Sequence, residues 1–270
     1  MISEAASYSV PPVERAFKLL RHIAGGGNAS NASVTARELG FSRTTLIRLI
    51  ATLEAERMIE RQGSGAGYKL GPGLAALAGQ ALFSHDLAQA GDSVIARLAE
   101  QLGLSSHIGV LEGRDILYVA RRTPNLHLVS NVRIGSRLPA HATTMGRIIL
   151  AFTPRNESAA LFSGVKLKAA TEKTPLTFAA LVRQIDADRT EGLAWSDSNF
   201  EPGIASCAGP VFDHAGRIAG GMNVTGPSHS FDAGGERRRE IALAVSAAAA
   251  EISRKLGYSG AALSAPARRA

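Results

Sequence analysis

Residues 35–53, Thr-Ala-Arg-Glu-Leu-Gly-Phe-Ser-Arg-Thr-Thr-Leu-Ile-Arg-Leu-Ile-Ala-Thr-Leu, constrain this chain more tightly than any other stretch. Ala36 is small enough to let two helices pack closely. Gly40, four residues on, ends the first helix and makes a tight turn. Leu46 and Leu49 then supply a small core. A helix-turn-helix needs this order of residue types, because its helices meet at a steep angle across a short turn. The spacing predicts a short helix over residues 35–39. A longer one begins at Ser42, whose hydroxyl suits an N-cap, and runs to about residue 56.

The polar face of the second helix gathers Ser42, Arg43, Thr44, Thr45 and Arg48 at its N-terminal half, the end of a recognition helix that reaches base edges in the major groove. Arginine pairs bidentately with guanine, and Ser and Thr hydroxyls suit bases or phosphates. Two short extended pieces, residues 59–62 and 68–70, flank the glycine-rich 63–67 and read as a hairpin. Its Arg61 and Lys69 would lie along the phosphate backbone as a wing. Residues 63–67 lack a following Lys-Ser/Thr pair and open no helix, so a phosphate-cradling loop is the poorer reading. Residues 11–70 hold nine basic side chains (Arg15, Lys18, Arg21, Arg37, Arg43, Arg48, Arg57, Arg61, Lys69) against five acidic ones (Glu14, Glu38, Glu54, Glu56, Glu60). That surplus of four is more than half of the whole chain's +7. A basic head of this kind fits double-stranded DNA; a solvated helix face that contacts protein is the competing reading.

The expected organisation is a loose leader at residues 1–10, a winged helix-turn-helix at 11–71, a linker helix at 72–85, a second domain at 86–258 and a loose tail at 259–270. Pro11-Pro12 open a first helix along which Val13, Phe17, Leu20 and Ile23 recur, and the loop 25–31 ends it. In the second domain, helices are expected at 87–102, 144–152, 178–191 and 233–256. Extended pieces are expected at 106–112, 116–122, 126–132, 204–213 and 217–225. Helices outside an antiparallel sheet make the fold class α+β.

The bulk numbers exclude several classes. At 270 residues, with 45% hydrophobic and 20% charged, the chain has the composition of a globular protein with room for two domains. The single cysteine, Cys207, rules out a disulfide framework within the chain. No apolar run is long enough for a membrane span, and the first residues lack the pattern of a secretory signal, so a cytoplasmic location is expected. The seven histidines (residues 22, 85, 107, 127, 141, 214 and 229) show no metal-ligand spacing. No paired carboxylates stand out. Neither a catalytic set nor a cofactor is expected.

Several blocks resemble the IclR family of bacterial regulators. Val13-Glu14-Arg15-Ala16-Phe17-Lys18-Leu19-Leu20 is similar to its first helix, and residues 41–54 to its recognition helix. Gly135-Ser136-Arg137-Leu138-Pro139-Ala140-His141-Ala142-Thr143-Thr144-Met145-Gly146-Arg147 looks like its effector-domain signature. So do Glu201-Pro202-Gly203-Ile204-Ala205-Ser206-Cys207-Ala208-Gly209-Pro210-Val211 and residues 220–227. The resemblance covers residues 12–257. It implies a winged helix, a linker helix and a GAF-like effector-binding domain, in dimers or tetramers on palindromic operators. It also implies an effector pocket lined around His141–Met145, Ser206, Asn223 and Thr225. Ser206 stands where the family commonly has cysteine, and Asn223 and Thr225 where it has serines. These exchanges point away from a glyoxylate-like ligand. The wording around His141 is closer to the branch that governs aromatic-acid catabolism, such as the protocatechuate and β-ketoadipate regulators.

The candidate effector residues are therefore His141, Ala142, Thr143, Met145, Asp197, Ser206, Asn223 and Thr225. His141, just before a helix N-terminus that favours anions, either donates to a ligand carboxylate or satisfies a turn. Polar Ser206, Asn223 and Thr225 on apolar strands take either a ligand or a cross-strand hydrogen bond. Asp197 reads as a solvated loop residue near the same place. Cys207, with no base placed beside it, reads as a buried inert thiol rather than a nucleophile. Arg237-Arg238-Arg239 reads as a solvated face. The function these features fit is a regulator of a catabolic operon that senses a small carboxylic acid, an aromatic one on the resemblance to that branch. The other class to weigh is a small-molecule-binding protein or enzyme that uses its helix-turn-helix for protein contacts.

Overall fold

The computed structural model describes residues 9–27, 29–63, 67–83, 86–124, 132–162, 164–231 and 235–260. It divides into two compact units, residues 1–83 and 84–270. The expected extended piece at 126–132 falls, except for Val132, outside the described residues, as do the tip of the wing, His85 and His127.

In the first unit, α1 (Pro11–Ala24) carries Pro at its start, where a missing N–H costs no hydrogen bond. Helix α2 (Ala32–Leu39) begins three residues before the expected start, because the Asn31 side chain accepts from the Ser33 and Val34 amides and caps it. Gly40 then takes a left-handed φ of 71°, which a side chain would resist, and the chain turns into α3 (Arg43–Ala55). Strands β1 (Ile59–Arg61) and β2 (Tyr68–Leu70) pair antiparallel, and α4 (Pro72–Phe83) follows. Leu19, Ile23, Ala36, Leu39, Leu46, Ile50, Leu53 and Ile59 form the core, with Leu49 half-buried against it. Val13 and Phe17 do not join it. They stand 51% and 54% exposed on α1, so the apolar repeat read from the sequence serves two faces of this helix.

The second unit is built on a six-stranded antiparallel sheet of order β5-β4-β3-β8-β7-β6. Its strands are β3 (Ser105–Glu112), β4 (Asp115–Arg122), β5 (Arg137–Pro139), β6 (Ala194–Asp197), β7 (Ile204–Phe212) and β8 (Ile218–Pro227). Helices α5 (Asp86–Leu102) and α9 (Glu236–Lys255) pack on one face. Helix α6 (Thr144–Phe152) packs on the other, with α7 (Arg155–Phe162) and α8 (Phe178–Glu191) in its vicinity. Alternation along the strands decides which side chains each layer sees. Cys207 is fully buried on the α9 side, one residue from Ser206 on the α6 side, and burial pushes its thiol pKa well up, as an inert thiol requires.

Strands β5 and β6 and helix α7 were not anticipated. β5 is a three-residue edge strand ending in proline, and β6 a four-residue edge strand, too short for a period to register. The arginine run is corrected as well. Arg237 donates to the Leu102 carbonyl and Glu240, and Arg238 lies 3.9 Å over the Trp195 ring; only Arg239 is exposed as a solvated face would be.

Candidate functional site

The head presents one exposed polar face. Leu46, Ile50 and Leu53 are buried on the inner side of α3, which leaves Arg43, Thr44, Ile47 and Arg48 exposed on the outer side. Ser42 and Thr45 are occupied structurally. The Ser42 hydroxyl accepts from the Thr45 amide at 3.1 Å and pairs with the Thr45 hydroxyl at 2.8 Å, fixing the helix start. Ile47 is 46% exposed in the midst of this face. Lys18 donates to the Leu39 carbonyl at the end of α2, at 2.8 Å, and holds the turn. On the hairpin, Arg61 contacts Glu54 at 3.1 Å and stacks on Tyr68, while Lys69 contacts Glu60 at 2.8 Å. All four charged groups are exposed or nearly so, which makes these pairs weak and exchangeable.

The second unit holds a cavity of about 60 Å³ between the sheet and the start of α6. Five of the candidate effector residues, Ala142, Thr143, Ser206, Asn223 and Thr225, line it together. Their polar groups are largely engaged. Ser206 and Thr144 share a hydroxyl pair at 2.9 Å, and Thr225 donates to the Ala205 carbonyl at 3.1 Å. Thr143 caps α6 by accepting from the Gly146 amide at 3.1 Å. Gly146 itself is required by close approach: a Cβ there would meet the Ala140 carbonyl oxygen at 2.1 Å.

Three predicted residues lie elsewhere. His141 turns away; its Nε2 sits 3.0 Å from the carbonyl of Lys168, 27 residues on, and its ring packs edge-on to Phe162, so its partner lies neither in the cavity nor in its own turn. The Met145 side chain is fully buried in the core beneath the cavity, against Gly109 and Gly221. Asp197 ends β6 rather than lying in a loop and opens into a neighbouring groove with Arg147, Asp188, Trp195 and Arg238. There Ser228 and Ser198 donate to its carboxylate and hold its pKa down.

The cavity also contains residues that sequence reading missed. His107 and Tyr118 line it, their rings 5.6 Å apart and edge-to-face, and Ser196, Phe200 and the exposed Glu201 form part of the wall. His107 is completely buried, with Nδ1 3.0 Å from the Asn223 Oδ1. Burial, opposed by that hydrogen bond and aided by nearby Arg121, lowers its pKa to about 4. Burial likewise raises the Tyr118 phenol. The available signal was a lone histidine in an apolar strand. Nothing local in the sequence separates such a residue from a core histidine.

Beside the cavity a buried ion pair ties three elements. Arg147 on α6 donates to Asp188 on α8 through Nε at 2.8 Å and Nη2 at 3.2 Å, and through Nη2 to the Trp195 carbonyl on β6 at 2.6 Å. Burial raises the Asp188 pKa against the opposing pull of Arg147. Among the described residues no group of three or more His, Cys, Asp and Glu side chains is placed to hold a metal ion. None of the described helices is long and apolar enough to cross a membrane.

A winged helix-turn-helix with a basic outer face, followed by a sheet-and-helix domain enclosing a small cavity, defines a ligand-responsive transcriptional regulator. The IclR helix-turn-helix domain matches residues 12–63, and the bacterial transcriptional regulator IclR C-terminal domain matches residues 79–254. The chain belongs to the IclR family. It is 28% identical to the HTH-type transcriptional regulator KdgR of Escherichia coli over 93% of this chain and 94% of that one. It is 31% identical to the glycerol operon regulatory protein of Streptomyces coelicolor, over 92% and 97%. A Pca regulon regulatory protein of Pseudomonas putida is 33% identical over 60% of this chain and 56% of its own. A solved transcriptional regulator of Rhodococcus sp. RHA1 superposes with a TM-score of 0.81 at 26% identity, covering 92% of this chain and 98% of that one. These relatives are regulators, and the chain is a DNA-binding transcriptional regulator with a ligand-binding C-terminal domain, not an enzyme.

Proposed function

We propose that Arg43, Thr44 and Arg48 read base edges of an operator, held in register by Ser42 and Thr45, while Arg61 and Lys69 exchange their carboxylate partners for phosphates. The observation that carries this reading is the division of α3 into a buried aliphatic side and an exposed side bearing both arginines. On this reading the head reaches residue 71, residues 72–85 link it to the effector domain at 86–258, and two or four copies act on a palindrome. The exposed apolar strip Val10, Val13 and Phe17 on and before α1 supports a partner copy.

The effector is a compact organic acid held in the cavity by Ala142, Thr143, Ser206, Asn223 and Thr225, its carboxylate at the N-terminal end of α6. No arginine or lysine is among the described residues lining the cavity, which favours one carboxylate over two. An aromatic acid needs more room. A cavity of roughly 150 Å³ accommodates benzene, so this one, at about 60 Å³, takes a ring only if its wall opens.

The direct test is a fluorescence-anisotropy titration of DNA upstream of the chain's own gene, across salt concentrations, with native protein and Arg43→Ala. The variant is expected to lose about 1–3 kcal/mol of operator affinity at unchanged ligand binding. Equal affinity of the two proteins removes Arg43 from the reading surface.

A further inference from the structure

Three buried side-chain atoms have no hydrogen-bond partner among the described residues: His107 Nε2, Gln184 Oε1 and Trp195 Nε1. Gln184 and Trp195 line the neighbouring groove, and His107 alone of the three lines the cavity. Its orientation is set from behind. Nδ1 lies 3.0 Å from Asn223 Oδ1, and an amide oxygen only accepts, so the single ring proton belongs on Nδ1. Nε2 is then a bare lone pair, buried and unanswered. With its pKa down at about 4, the ring stays neutral near pH 7.

We propose that His107 Nε2 accepts a hydrogen bond from a hydroxyl on the effector, which is therefore a hydroxy acid. The inference rests on the reading of this cavity as the effector site and adds what the site discriminates. An ionised carboxylate cannot satisfy Nε2, because it carries acceptors only, and a ketone cannot either. The Ser206–Thr144 pair and the Thr225 hydroxyl already have partners, which leaves His107 as the group that asks for a donor. A site with a buried polar group of this kind rejects the analogue that lacks the matching group far more strongly than an apolar pocket rejects a missing methylene. A cavity of about 60 Å³ matches an acid of a few carbons.

The test is isothermal titration calorimetry of the full-length native protein with matched acids. Lactate (both enantiomers), propionate and pyruvate differ at one carbon; 3-hydroxybutyrate with butyrate, and 4-hydroxybenzoate with benzoate, extend the series. Among the acids that bind, the hydroxylated member is expected to be tighter by roughly tenfold or more. His107→Leu should abolish that preference and His107→Gln, which keeps an acceptor, should retain part of it. The native protein needs no variant for the primary comparison, so misfolding of either one leaves the result readable. Deoxy or keto acids binding as tightly as hydroxy acids overturn the hydroxyl assignment and leave the cavity as an acid site. No binding by any acid at millimolar concentration, with the protein folded and still operator-competent, overturns the acid site and the hydroxyl assignment together.

Discussion

His107 illustrates how a single side chain can hold both a stability signature and the recognition role proposed for it. Its pKa is about 4 in the folded protein against an ordinary 6.5, lowered chiefly by burial. The unfolded chain therefore takes up a proton at a pH where the folded one does not. Above pH 6.5 the folded state bears no penalty; as pH falls from 6.5 through about 4 stability is lost, by about 3 kcal/mol in all. Urea unfolding at pH 7 and pH 4.5 should show native protein losing more stability than His107→Gln, with carboxylate titrations common to both. An equal loss in the two proteins would mean His107 takes its proton while folded. Little of this was legible in the sequence. His107 and its partner Asn223 lie 116 residues apart, and only the pairing of β3 with β8 brings them together. Asn223, Ser206 and Thr225 were legible because alternation along a strand is a local property. His141 was misleading for the same reason: its position before a helix is local, but its partner, the Lys168 carbonyl, is not.

At the scale of elements, the helix-turn-helix was the most readable part of the chain. Ala36, Gly40, Ser42 and Leu46 act within a few residues of one another, and each does in the structure what its chemistry predicts. The clamp joining α6, α8 and β6 was not readable, since Arg147 and Asp188 are 41 residues apart. Their side chains are only 5% and 8% exposed, so neither charge has water to fall back on. Removing one partner strands the other. Arg147→Met is expected to destabilise the effector domain by about 3–5 kcal/mol, read as a lowered midpoint in thermal unfolding. The double variant Arg147→Met/Asp188→Leu should recover much of that loss, because an apolar pair of similar volume removes both desolvation costs. A double variant no more stable than the single one would assign the loss to the Trp195 carbonyl contact instead.

For the molecule as a whole, charge and chemistry are divided between the two units. The head region, residues 11–70, supplies four of the seven net positive charges, and the cavity of the second unit is lined by no lysine or arginine among the described residues. The wing pairs bear on how strongly that surplus is felt. Arg61 and Lys69 each rest on a glutamate of the head, so neither meets DNA as a free cation. When a phosphate replaces Glu60 beside Lys69, the duplex sheds a condensed counterion while the abandoned glutamate attracts one, and the net release shrinks. The dependence of log K on log salt is then shallower than a count of basic residues implies, by up to about one unit of slope per paired cation. Glu60→Gln should accordingly tighten operator binding at low salt and steepen that slope, and an unchanged slope would mean that Lys69 keeps its glutamate in the complex. On the proposed wing contacts, the two glutamates act as a governor: they temper how much of the head's charge surplus is felt by a duplex of any sequence.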